Sequence, residues 1–211
     1  MVNKNGEAPA NLWSAAGAFV AGSPEDRAAG LGRLVAEGAQ SYTPLHLHLF
    51  TSRLFEEDLS LRQAILEALG AVLDGQDSSN PIPYELRRYL LGLLARLGLA
   101  ELRWILEALA DISRPPPAAV RLVSYIPQAG KHLARVAADT KEDGKIRAAA
   151  ARMIGEVGYV DALPALEGLE ARLEGRRAGQ LAMVFAPKDD PAADVILPVL
   201  KGALEILREV D

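Results

Sequence analysis

Apolar side chains recur at every third or fourth position along almost the whole chain, the spacing of amphipathic helices rather than of strands. A short N-terminal helix is expected to start at Asn11, acting as N-cap after Pro9. From Pro24 the apolar positions are Ala28, Leu31, Leu34 and Val35. Ser23 suits the N-cap there, with Pro24 first, Asp26 third and Gly38 as the stop. A helix from Thr43 or Pro44 to Glu57 follows. Asp58 or Ser60 then caps one whose face is Leu61, Ile65, Leu69 and Val72. The segment GQDSSNPIP is the clearest breaker in the chain.

The next helix, from Tyr84, is expected to end at Gly98. Its successor, from Leu99, ends at Arg114 and three prolines. Residues 118–138 read as one or two helices interrupted near Pro127. Asp139 and Thr140 introduce the next helix, which Gly158 stops. Asp161 is expected to cap another, with Pro164 in its first turn. The run LAMVF reads as extended or coiled. Pro191 opens a last helix to about Val210, with Val195, Val199, Ala203 and Leu207 on one face, flanked by Ile196, Leu200, Leu204 and Ile206. Roughly ten helices and no sheet are expected, in three parts: an N-terminal segment 1–22, a central 23–177, and a strip with a final helix, 178–211.

The helices are also similar to one another. Aligned on Arg27, Arg62, Arg87 and Arg147, they are spaced 35, 25 and 60 residues apart. Seven residues on stand Leu34, Leu69, Leu94 and Ile154. Eight on stand Val35, Gly70, Ala95 and Gly155. Eleven on stand Gly38, Leu73, Gly98 and Gly158. These offsets share one helical face. The residue at seven fills a core, a small residue at eight admits a neighbouring helix, and glycine at eleven ends the helix. Arg121 marks the place of a further, degenerate copy broken by Pro127. A unit of this kind cannot bury its apolar face alone, so copies stack.

The stretch GKIRAAAARMIGEVGYVDALPALEGLEARL resembles a HEAT repeat of the short bacterial kind, also seen in phycobilisome lyases. The matching residues are Ile146, Arg147, Ala149, Ala150, Ile154, Gly155, Val157 and Gly158, then Asp161 to Leu166. Residues 84–112 match less closely, and 24–57 and 59–74 weakly. The resemblance implies an all-α, right-handed α-solenoid of about four to five stacked helix pairs, armadillo-like, closed by a C-terminal capping helix. It implies no catalytic residues. It implies a scaffold that binds another protein along a concave side lined by the second helix of each pair.

Composition explains the pattern rather than adding to it. With 36 alanines and 33 leucines, about a third of the 211 residues are strong helix formers. The absence of cysteine removes disulfides, thiolate metal sites and thiol nucleophiles. No run of eighteen apolar residues suggests a membrane span. The apolar run at 12–21 is interrupted by Ser14 and Gly17, and Lys4 before it is offset by Glu7. It therefore reads as a helix rather than a signal peptide, and the expected location is the cytoplasm. The net charge is −5, yet residues 85–135 carry eight basic and four acidic side chains, a local +4.

Few residues suggest chemistry. His46 and His48 fall on opposite sides of a helix and cannot share a metal, and His132 is isolated. The acids Glu56, Glu57 and Asp58, like Asp189 and Asp190, read as helix ends and solvated loops. A calcium loop from Asp139 fails on Lys141 and Ala150. No glycine elbow, phosphate loop or dinucleotide fingerprint occurs. Trp104 lies off the main stripe of its helix, and tryptophan and arginine are typical interface anchors. The expected partner-binding residues are Arg96, Arg103, Trp104, Glu107 and Asp111, with no catalytic residue, metal or cofactor.

The expected function is therefore a non-enzymatic scaffold, a monomer or weak homodimer, with another protein as partner. One alternative is a lyase-type accessory or chaperone acting on a chromophore-bearing protein. The other is nucleic-acid binding through residues 85–135, which the acidic net charge disfavours.

Overall fold

A computed structural model describes residues 8–36, 38–74, 82–182 and 190–210. Among them are eleven α-helices, two short 3-10 turns and no strand. The chain divides into two units, Met1–Arg96 and Leu97–Asp211. No described helix is long and apolar enough to cross a membrane.

The first unit holds α1 (Ala8–Ala21), α2 (Pro24–Ala36), α3 (Pro44–Ser52), α4 (Leu59–Asp74) and α5 (Tyr84–Leu94). The start of α1 precedes Asn11, so Asn11 is helical and not a cap; Pro9 takes the early position where its missing N–H costs nothing. The capping expected of α2 is present: Asp26 N donates to Ser23 Oγ (3.2 Å) and Ser23 N to Asp26 Oδ2 (3.2 Å). Gly38 takes a φ of +78°, in the left-handed region that favours glycine. Asp58 Oδ1 accepts from the amides of Ser60 and Leu61, which starts α4.

At α3 the N-cap is Thr43, and a histidine completes the capping box: Thr43 N donates to His46 Nδ1 at 2.9 Å, which leaves the ring proton on Nε2. His46 is buried beside Tyr42 and Phe50, and His48 is on the exposed side. This helix ends at Ser52, not Glu57. The chain turns there so that Glu56 can enter the interior. The core is built on Phe19, Phe50, Leu34, Leu47, Ile65 and Leu90, with Phe19 and Phe50 edge to face at 6.0 Å. Burying each such side chain stabilises by about 1.5–3 kcal/mol. Gly30 lets the two first helices touch: a Cβ there would stand 2.6 Å from Phe19 N.

The second unit holds α6 (Leu99–Leu109), α7 (Pro117–Ser124), α8 (Ala129–Ala138), α9 (Gly144–Val157), α10 (Leu163–Ala182) and α11 (Ala193–Val210). Gly98 does not stop α5, which ends at Leu94. It takes an extended backbone before α6, and its N–H donates to Glu101 Oε2 at 2.8 Å. Residues 118–138 form two helices, with Pro127 in the turn between them. Gly158 stops α9 with φ +80°. Asp161 lies inside a 3-10 turn (Val160–Ala162) and does not cap α10.

The alanines of α9 have a packing cause. This helix touches α6, α7, α8 and α11, so Ala148, Ala149, Ala150 and Ala151 are all buried. Gly155, the small residue eight after Arg147, receives α11: a Cβ there would lie 2.9 Å from Ala203 Cα. The buried face of α11 is Ile196, Leu200, Leu204 and Leu207 with Ala203, and Val195 points outward, so the face is rotated from the expected one. Residues 178–182 continue α10 instead of starting a strip, because the helix runs on to Ala182; residues 183–189 lie outside the described ones.

Candidate binding groove

Three of the four arginines that define the repeat register bond to backbone carbonyls of the chain. Arg27 Nη1 donates to Gly22 O (3.1 Å), Arg62 Nε to Glu56 O (2.9 Å) and Arg147 Nε to Ala137 O (3.0 Å). Each thus satisfies a carbonyl at or beyond the end of the preceding helix, where backbone acceptors lack helical partners. Two buried acids complete them. Glu56 Oε1 accepts from Arg27 Nη2 at 2.8 Å, and Asp190 takes both Nη1 and Nη2 of Arg147 at 2.8 Å. The expectation that Glu56 and Asp190 sit in solvated loops is therefore wrong: each is compensated by a guanidinium and buried. Arg53 adds a bond to Val20 O and lies 3.9 Å from Glu56 Oε2.

Three of the five expected partner-binding residues, Arg103, Trp104 and Glu107, share α6; Asp111 lies two residues past its end, and Arg96 belongs to the other unit. Arg103 is exposed, but its guanidinium grips Glu142 in the α8–α9 loop with two bonds, 2.7 and 3.1 Å. That contact raises its pKa further. The expected Arg103–Glu107 pair is present but long, at 3.8 Å. Asp111 pairs with Lys145 at 2.6 Å. Trp104 is half-buried. Much of the polar capacity of this patch is thus spent on its own chain. Arg96 is exposed, on a face of α5 with Glu85, Arg88, Tyr89, Gly92 and Leu93 that borders a concavity of about 360 Å³.

A larger concavity, about 690 Å³, lies within the second unit. Arg114, Pro115, Pro116 and Pro117 line it on one side, with Val120, Arg121 and Ser124 of α7. Glu156 and Val157, at the end of α9, line the other. Arg114 and Arg121 are exposed. Two bonds tie together the segments that line it: Arg152 Nη1 of α9 donates to Ile112 O at 2.7 Å, and the Tyr159 hydroxyl donates to Val123 O of α7 at 2.9 Å. Burial lowers the Arg152 pKa, with Glu156 opposing the shift. It raises the Tyr159 hydroxyl to about 12, with Asp161 adding to the effect.

The sequence places Arg114 and Arg121 in the basic 85–135 segment, and Arg121 in the patch of the nucleic-acid alternative with Arg87, Arg88, Arg96, Arg103 and Trp104, but does not join them to Glu156 and Val157. The signal available was three consecutive prolines between a helix end and a helix start. Among the described residues no group of three or more His, Cys, Asp or Glu could hold a metal. Comparison of the chain with protein-family models, with curated proteins and with solved structures gives no match.

Proposed function

We propose that this chain is a HEAT-type scaffold without catalytic activity that binds another protein. The observation that carries the reading is the order of helix contacts within each unit. In the first, α1 meets α3, α3 meets α5 and α2 meets α4. In the second, α6 meets α8, α8 meets α10, α7 meets α9 and α9 meets α11. Alternate helices adjoin, as stacked helix pairs require. The three carbonyl-bound arginines at the repeat register support the same reading, because they hold successive helices in place rather than present chemistry.

A scaffold of this kind binds through surface, and the groove beside α7 is the stronger candidate. Arg103 and Glu107 of α6, and Asp111 just after it, are held in ion pairs of their own chain, so recruiting them requires breaking those pairs first. Affinity capture of the full chain from its native cells, followed by light scattering of the purified complex, tests the proposal. A protein recovered at a fixed stoichiometry is the expected result. Purified chain that recovers no protein at any fixed ratio contradicts it.

A further inference from the structure

We propose that the groove between α7 and the end of α9 binds an extended acidic peptide segment of the partner protein, an inference that rests on the protein-binding reading above. Arg114 and Arg121 pair with its carboxylates. Val120, Val157 and the prolines take an apolar side chain between them.

Charge complementarity is the first argument. Two exposed arginines line the groove against one acid, Glu156, in a chain whose net charge is −5. Guanidinium is the group best matched to carboxylate, since its planar fork donates two parallel bonds. The second argument concerns donors. Pro115, Pro116 and Pro117 have no backbone N–H, so this wall cannot recognise a peptide by adding a strand to it. The Ser124 hydroxyl donates to Arg121 O at 2.7 Å and so spends its proton internally.

The third argument is shape. A volume of about 690 Å³ falls in the range that encloses a drug-sized molecule, enough for a few extended residues. Three prolines with fixed φ make the wall rigid beforehand, which reduces the ordering cost of binding. The lining residues include no aromatic ring on which bases could stack, which favours a peptide over a single-stranded nucleic acid.

The test is fluorescence anisotropy with the full-length chain and a fluorescein-labelled pool of decapeptides. The pool alternates Asp or Glu with Leu, Val or Phe. A matched pool with Lys in place of the acids and a labelled oligo-deoxythymidine serve as competing probes. The acidic pool is expected to bind. Arg114→Gln/Arg121→Gln is expected to weaken it at least tenfold, and Arg88→Gln/Arg96→Gln, with the same charge change on the other unit, less than twofold. Val120→Asp, at the half-buried valine of the lining, is a second variant expected to weaken it without removing a basic group.

No binding of the acidic pool overturns the proposal, as does equal weakening by both arginine pairs. Tighter binding of the oligonucleotide through Arg114 and Arg121 overturns it in favour of nucleic acid. A stoichiometric protein recovered equally by wild type and by the Arg114→Gln/Arg121→Gln variant overturns this inference and leaves the protein-binding reading standing.

Discussion

Arg147 holds Asp190 in a buried pair, Nη1 to Oδ1 and Nη2 to Oδ2 both at 2.8 Å, with side chains 1% and 2% exposed. The same guanidinium donates its Nε to Ala137 O, at the end of α8. One side chain thus ties α8 and α9 to the residue that leads into α11. Removing one partner strands the other charge in a dry interior, which costs about 3–5 kcal/mol. Asp190→Asn is expected to lower stability by that amount in urea denaturation. Arg147→Met/Asp190→Leu is expected to recover most of it, because no charge is then left uncompensated. A single-variant loss below about 1 kcal/mol would show that the pair is not buried as described.

Glu56 has the corresponding place in the first unit. Its carboxylate faces Arg27 and Arg53, and Arg62 bonds to its backbone carbonyl. Glu56→Gln is therefore expected to cost about 1–3 kcal/mol, while the Arg62 bond persists. Chemical denaturation of Glu56→Gln and Glu56→Gln/Arg27→Gln checks this, since the double variant should lose little more than the single one.

Tyr159 makes stability depend on pH at the alkaline end. Its hydroxyl is raised from the ordinary 10 to about 12 in the folded state. A raised folded pKa favours the protonated form, so this contribution is complete below pH 10 and disappears as pH rises through about 12. The gap corresponds to a few kcal/mol at most. Partial exposure reduces the expected effect to about 1 kcal/mol. Tyr159→Phe removes the titrating group, so the wild-type advantage over it should narrow between pH 10 and 12 in thermal melts. A constant difference across that window would contradict the assignment.

Two glycines in α-helices should respond in opposite directions. A Cβ at Gly155 would meet the backbone of α11, so Gly155→Val is expected to destabilise by about 1–3 kcal/mol. Nothing lies within 4 Å of a Cβ at Gly32, an exposed interior position of α2. There Gly32→Ala is expected to stabilise by about 0.5–1 kcal/mol through helix propensity. Melting temperatures of the two variants decide both.

What the sequence made legible was local. Ser23 with Asp26, Asp58 before α4 and Gly158 after α9 act within four residues of themselves, and their side chains suffice to identify them. Gly98 misled because a glycine between helices suits either a stop or a start. The four residues between Leu94 and α6 left room for the second. The roles of Glu56 and Asp190 were hidden because each is set by an arginine far away in sequence, 29 and 43 residues off. Their own neighbours read as polar loops. Arg114 and Arg121 were visible as charges, but joining them to Glu156 and Val157 needs the packing of α7 against α9.

Hydrogen exchange on the full chain, alone and in its captured complex, tests the scaffold reading most directly. Amide protection is expected to rise at residue 114, at residues 118–124 and at residues 156–157 on binding, with α9 otherwise unchanged because its alanines are already buried on several sides. Protection that rises throughout α9, or no captured partner to measure, would contradict a preformed scaffold that binds through its surface.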